Sequence, residues 1–190
     1  MTRKDWLDFG LVVIGNEGVS GLKLERLCEL AGKTRGSFYH HFEDHNEFVV
    51  ALLECWQVDS AERIIDSVRH ITNAREQRVA LARQVVGLSS AIENAIRGWS
   101  GTDERAYAVV TIVDAARLEF LQKGIITLAS ESGITLTPEE AEDLAILDYG
   151  LFIGVHALKK DASPDYYFRL NELSENMLNA WMAKKSAVIL

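Results

Sequence analysis

Residues able to do chemistry crowd one short stretch, AGKTRGSFYHHFEDHNEF at positions 31–48. Lys33 and Arg35 bring positive charge, Thr34, Ser37 and Tyr39 bring hydroxyls, and His40, His41 and His45 bring imidazoles that donate, accept or ligate. Three chemistries draw on such a set: proton transfer in catalysis, metal binding, and contact with the phosphates and base edges of nucleic acid. His41 and His45 lie four apart, as a helical metal pair would. Asp44 between them is a helix-capping type that should interrupt the helix, so one-face ligation is not expected and no metal is assigned. Elsewhere Ser, His and Asp are scattered, and no G-x-S-x-G elbow, H-E-x-x-H pair or glycine-rich phosphate loop occurs. The chain is therefore expected not to be an enzyme and to need no cofactor.

Charge narrows the nucleic-acid option. A net charge of −8 argues against indiscriminate coating of nucleic acid, which rests on neutralising phosphates, but leaves room for a small reading head. Residues 1–48 carry six Lys/Arg against eight Asp/Glu, so most of the acidity lies further on. The longest apolar runs, FVVALL and GLFIGV, stop far short of the roughly 20 residues of a membrane span, and MTRKDWLDFG lacks the apolar stretch of a signal peptide. A cytoplasmic location without membrane contact is the expectation. Cys28 and Cys55 occupy apolar helical positions, as buried reduced thiols do.

The elements that must position these residues are helical. The chain has 190 residues, 48% of them hydrophobic, and only two prolines. Trp6, Phe9, Val13 and Ile14 predict a helix over 3–17, and Leu24, Leu27, Cys28 and Ala31 another over 22–31 that Gly32 ends. Thr34 caps a short helix whose Phe38 and Phe42 face inward together, completing a helix-turn-helix unit. Asp44 and Glu47 read as a capping box opening one long helix with Phe48, Leu52, Cys55, Trp56, Ile64 and Val68 along a side. Further helices follow from about 75 and over 103–132. Thr137, Pro138 and Glu140 start one over 138–160, and Ser163 with Pro164 start the last, over 164–183. Leu151, Phe152, Val155 and His156, with Leu170, Leu173, Met177 and Trp181, spread apolar surface around these two helices, which predicts burial against a second copy. Gly150 and Gly154 resemble a close helix-crossing pair.

The segment LKLERLCELAGKTRGSFYHHFEDHNEFVVALL resembles the DNA-binding segment of the tetracycline-repressor (TetR) family. Leu27, Cys28, Ala31, Gly32, Thr34, Gly36, Ser37, Phe38, Tyr39, His41 and Phe42 sit where that pattern expects their type, over roughly the first quarter of the chain. The resemblance implies an all-α protein with an N-terminal helix-turn-helix domain (1–48) and a helical-bundle domain (49–190) for effector binding and dimerisation. It implies a ligand-responsive repressor that binds a pseudo-palindromic double-stranded operator as a homodimer, with a small-molecule effector. Lys33, Thr34, Arg35 and Ser37 would occupy the recognition-helix end that faces base edges, and Arg35 would take a guanine or a phosphate. Gly36 would let backbone approach DNA, while Tyr39, His40 and His41 would hold phosphates. Lys23 stands where many members have threonine, His45 where lysine is common, and Glu25 near where some carry a base-reading cation.

Trp56, Trp99, Tyr107, Phe120 and Tyr149 lie in helices that usually surround the family's effector cavity, and plain core packing accounts for each equally well. Asp114 and Arg117 read as a buried pair, as a polar anchor for a ligand, or equally as an exposed surface pair. The alternative reading of the whole is an all-helical adaptor with little specific DNA affinity, suggested by the acidic N-terminal region.

Overall fold

The computed structural model describes residues 1–159 and 162–188, which form ten α-helices and no strand. They are α1 (Arg3–Glu17), α2 (Leu24–Ala31), α3 (Arg35–Tyr39), α4 (His45–Gln57), α5 (Arg63–Val68), α6 (Ala74–Val85), α7 (Ser90–Ser100), α8 (Glu104–Glu131), α9 (Pro138–Leu158) and α10 (Pro164–Val188). The chain folds into two compact units, Met1–Glu62 with Ser89–Val113, and Arg63–Leu88 with Asp114–Leu190. The first unit thus takes in more chain than residues 1–48.

In the first unit α1 packs against α4 and α7. Thr2 and Asp5 form a reciprocal capping box at its start, and Trp6, Leu11, Val13 and Ile14 turn inward. Gly10 is required here: a Cβ on it would lie 2.8 Å from Phe48 Cζ and 2.9 Å from Leu52 Cδ1. Beneath α3 the rings of Trp6, Phe38, Phe42 and Phe48 interlock, with centroids of Phe38 at 5.5 Å from Trp6, 5.0 Å from Phe42 and 5.3 Å from Phe48. Edge-on and tilted contacts of this kind stabilise beyond what burying the rings gives. Asp103 begins α8 by accepting from the Arg105 and Ala106 N–H groups, and the Arg105 guanidinium holds its carboxyl down at about 2.

Two local expectations are corrected. Residues 22–31 are not one helix, because a 3-10 turn at Val19–Leu22 precedes α2, and Lys23 at its N-cap offers no side-chain acceptor. The single helix expected after Asp44 is interrupted by a π-helical turn at Val58–Glu62, which spreads its residues over a wider turn and ends the side shared by Phe48, Leu52 and Trp56. Asp44 does cap α4 by accepting from Glu47 N–H at 2.7 Å. The Glu47 carboxylate, however, accepts from Glu43 N–H and pairs with Arg3 instead of closing the box on Asp44.

The second unit is built on the apolar contacts of Ala74, Ile125, Leu128, Ala145, Leu178 and Met182. Thr137, Pro138 and Glu140 start α9 as a full capping box, and Ser163 accepts from Tyr166 N–H at the start of α10. Arg78 of α6 is buried, yet it sits 3.0 Å from Asp148 of α9 and 2.5 Å from Glu175 of α10. Burial disfavours its charge, and the two carboxylates more than offset that, so its pKa is raised.

Candidate nucleic-acid interface

Gly32 takes the left-handed conformation (φ 59°) that ends α2 and turns the chain into α3. Thr34 then accepts from Ser37 N–H at 3.2 Å, and Phe38 is wholly buried on the opposite side. The consequence is a fixed short helix with its N-terminal end outward: Lys33, Thr34, Arg35 and Gly36 are a run of exposed residues, with Ser37 half-buried behind them. A Cβ on Gly36 would meet only Thr34 Oγ1 at 3.7 Å, so the protomer does not need glycine there, and bare backbone faces outward. Tyr39 and His40 are exposed at the other end of α3.

Arg3 fixes the turn into α4. Its guanidinium donates to His41 O at 2.7 Å, pairs with Glu47 at 2.8 Å, and lies 4.5 Å from the centre of the Phe42 ring. His41 Nε2 is 2.8 Å from Met1 O and His45 Nε2 is 2.6 Å from Leu22 O. A carbonyl accepts, so both imidazoles donate through Nε2. That leaves Nδ1 as the ring nitrogen each can offer outside the protein.

The cations divide into paired and unpaired. Arg26 is held by Glu17 at 2.7 Å and Glu29 at 2.9 Å. Arg35 is 2.7 Å from Glu25, joining α3 to α2. Among the described residues, Lys23 and Lys33 have no ion-pair partner. The Arg35–Glu25 pair and the Arg3 clasp were not foreseen from sequence, since partners ten and 44 positions apart share no periodicity.

The effector candidates fall in both units. Trp56 and Trp99 are packed into the first unit's core, whereas Tyr107 there is 64% exposed. Phe120 is half-buried in the second unit. Three others do meet: Tyr149 donates to Asp114 at 2.6 Å and accepts from Arg117 at 3.0 Å, and Phe152 lies 5.2 Å from the Arg117 guanidinium. Of the residues expected between two copies, Val155 and His156 are buried inside the protomer, His156 at 1% exposure between Phe152 and Tyr167. Leu151, Phe152 and Leu170 are half-buried, and Leu173, Met177 and Trp181 are exposed. A further cluster, Asp8, Cys55 and Asp59, brings ligand-type atoms within 4.8 Å of one another, with Lys4 bound to Asp8 at 2.6 Å. Burial, with the two carboxylates, pushes the Cys55 thiol up.

The arrangement of a capped outward helix on an aromatic base, followed by long bundle helices, has clear structural counterparts. A protein described as a transcriptional regulator of the TetR/AcrR family superposes with a TM-score of 0.78 at 22% identity, over 93% of this chain and 97% of that one. The fold is the TetR fold. The reduced form of E. coli NemR superposes at 0.74 with 21% identity, over 93% and 97% of the two chains. A described transcriptional regulator from Saccharomonospora viridis, in complex with choline, does so at 0.73 with 15% identity, over 93% and 95%. No protein-family model matches the chain, and no curated protein does. Among the described residues no helix of this TetR fold is long and apolar enough to cross a membrane.

Proposed function

We propose that this chain is a DNA-binding transcriptional regulator, a ligand-responsive repressor that acts in the cytoplasm as a homodimer on a pseudo-palindromic operator and not an enzyme. The observation that carries the reading is the exposed Lys33–Gly36 end of α3, held rigidly by Thr34, Phe38 and the Arg3 clasp on a TetR fold. Lys33, Thr34, Arg35 and Ser37 face the bases, Gly36 admits the backbone, and Lys23, Tyr39 and His40 hold phosphates. His41 and His45 join them through Nδ1, their Nε2 atoms being engaged with backbone carbonyls. DNA reading belongs to residues 1–48, ligand response and dimerisation to 49–190.

Dimerisation rests on α9 and α10. Leu147 and Leu158 are exposed on α9, as are Leu173, Met177 and Trp181 at four-residue spacing on α10. A Cβ on Gly150 or Gly154 would meet nothing within 4 Å, so these glycines answer no need inside the protomer and suit a close helix crossing between copies. Small-molecule response draws support from the choline held by one structural neighbour, and the Asp114–Tyr149–Arg117 group offers a polar anchor in this chain. An effector acts only by binding the DNA-competent and incompetent states unequally.

Selection from a random-sequence duplex library tests this reading. Two inverted half-sites with centres about one helical turn apart, roughly 34–36 Å or a little more, are expected. Enrichment of no motif would contradict it and favour the adaptor.

A further inference from the structure

We infer that Glu25 makes Arg35 a reader of guanine and not a phosphate clamp, so that a residue on α2 sets the base preference of α3. The inference rests on the DNA-binding reading and specifies one of its contacts. Glu25 and Arg35 stand 2.7 Å apart, and both are largely exposed on the reading surface beside Lys33 and Gly36. Nothing in the core requires the pair, and a screened surface ion pair adds little to stability. Its effect is on what Arg35 can bind.

The pair is close to neutral. A phosphate contact draws its strength from releasing counterions, which a guanidinium already neutralised by a carboxylate does poorly. The carboxylate also repels phosphates brought near it. A guanine edge is uncharged and presents N7 and O6 as acceptors, and the guanidinium has more N–H donors than the one Nη2–H turned to Glu25 uses. Held at one end by α2, Arg35 spends less freedom in presenting the rest of its fork to a base. Phosphate work then falls to Lys23, a cation without a carboxylate partner, and to Tyr39 and His40.

Glu25 is accordingly a positioning residue acting through Arg35, and four proteins separate this from a structural role: wild type, Glu25→Gln, Arg35→Gln and the double variant. Each is assayed by selection from a random-sequence duplex library, followed by competition between the enriched duplex and versions with single guanines replaced. Wild type should show one guanine per half-site whose replacement weakens binding roughly tenfold or more. Arg35→Gln should lose that preference while keeping the others. Glu25→Gln should lose roughly five- to tenfold of the same preference while binding scrambled duplex more tightly at low salt. In the Arg35→Gln background, Glu25→Gln should change base preference no further. A wild-type motif that Glu25→Gln leaves intact overturns this inference and leaves the function standing. So does Arg35→Gln weakening all sequences equally with a shallower salt dependence, which marks a phosphate contact. A wild type that enriches no motif overturns the function and this inference with it.

Discussion

Replacing Gly10 by alanine sets two opposed effects against each other at one position. Gly10 is in the interior of α1, where alanine is intrinsically better by about 0.8–1 kcal/mol. The new Cβ, however, would stand 2.8 Å from Phe48 Cζ and 2.9 Å from Leu52 Cδ1, inside the distance real carbon atoms keep. Phe48 has no room to yield: it is wholly buried, with ring centroids of Phe38 and Phe42 at 5.3 and 5.1 Å. Leu52 is likewise buried. Overpacking of this kind costs about 1–3 kcal/mol, toward the upper end where neighbours are locked. The clash therefore exceeds the propensity gain, and Gly10→Ala should be less stable by about 1–2 kcal/mol. Urea unfolding followed by circular dichroism at one protein concentration reads this as a lower midpoint. A midpoint at or above that of the wild type would refute the claim that α1 and α4 are in contact through bare glycine.

Other substitutions probe other links. Asp103→Ala removes the acceptor at the start of α8 and should cost about 1 kcal/mol near neutral pH. Because Asp103 is held at about 2, below its ordinary 3.8, its contribution is full above about pH 4 and fades as pH falls toward 2. The wild-type and variant stabilities, measured by urea unfolding across that range, should converge at the acid end. Arg78→Met leaves Asp148 and Glu175 without their cation in a mostly buried place and should destabilise by about 3 kcal/mol in calorimetry or denaturant titration. Gly150→Leu fills open space in the protomer, so sedimentation should show a folded chain with weakened self-association, whereas an unchanged dimer would remove Gly150 from the interface.

Elements set by local chemistry were legible in the sequence. Thr137, Pro138 and Glu140 announce α9, Gly32 ends α2, and Thr34 starts α3, since each acts within a few residues. The π-helical turn at Val58–Glu62 left no such mark, because VDSAE is an ordinary helical run. Side-chain destinations set by tertiary packing were hidden for the same reason. His41 reaches Met1 and His45 reaches Leu22 across chain separations that no period encodes. Large aromatic side chains were visible as such, but size alone does not say that Trp56 and Trp99 join one core while Tyr107 stays exposed. His156 reads from sequence as packed between copies, and the rings of Phe152 and Tyr167 around it explain its burial within the protomer.

The central claim is that the exposed end of α3 reads operator DNA, and reversing its cation tests this most directly. Fluorescence anisotropy should compare wild type and Arg35→Glu on labelled duplex from the DNA flanking the gene, with a scrambled duplex as control and a salt series. Wild type is predicted to prefer the flanking duplex and to weaken as salt rises, and Arg35→Glu to lose about a hundredfold or more while sedimenting as the wild type does. An Arg35→Glu variant that binds the flanking duplex as selectively and tightly as wild type would contradict the account.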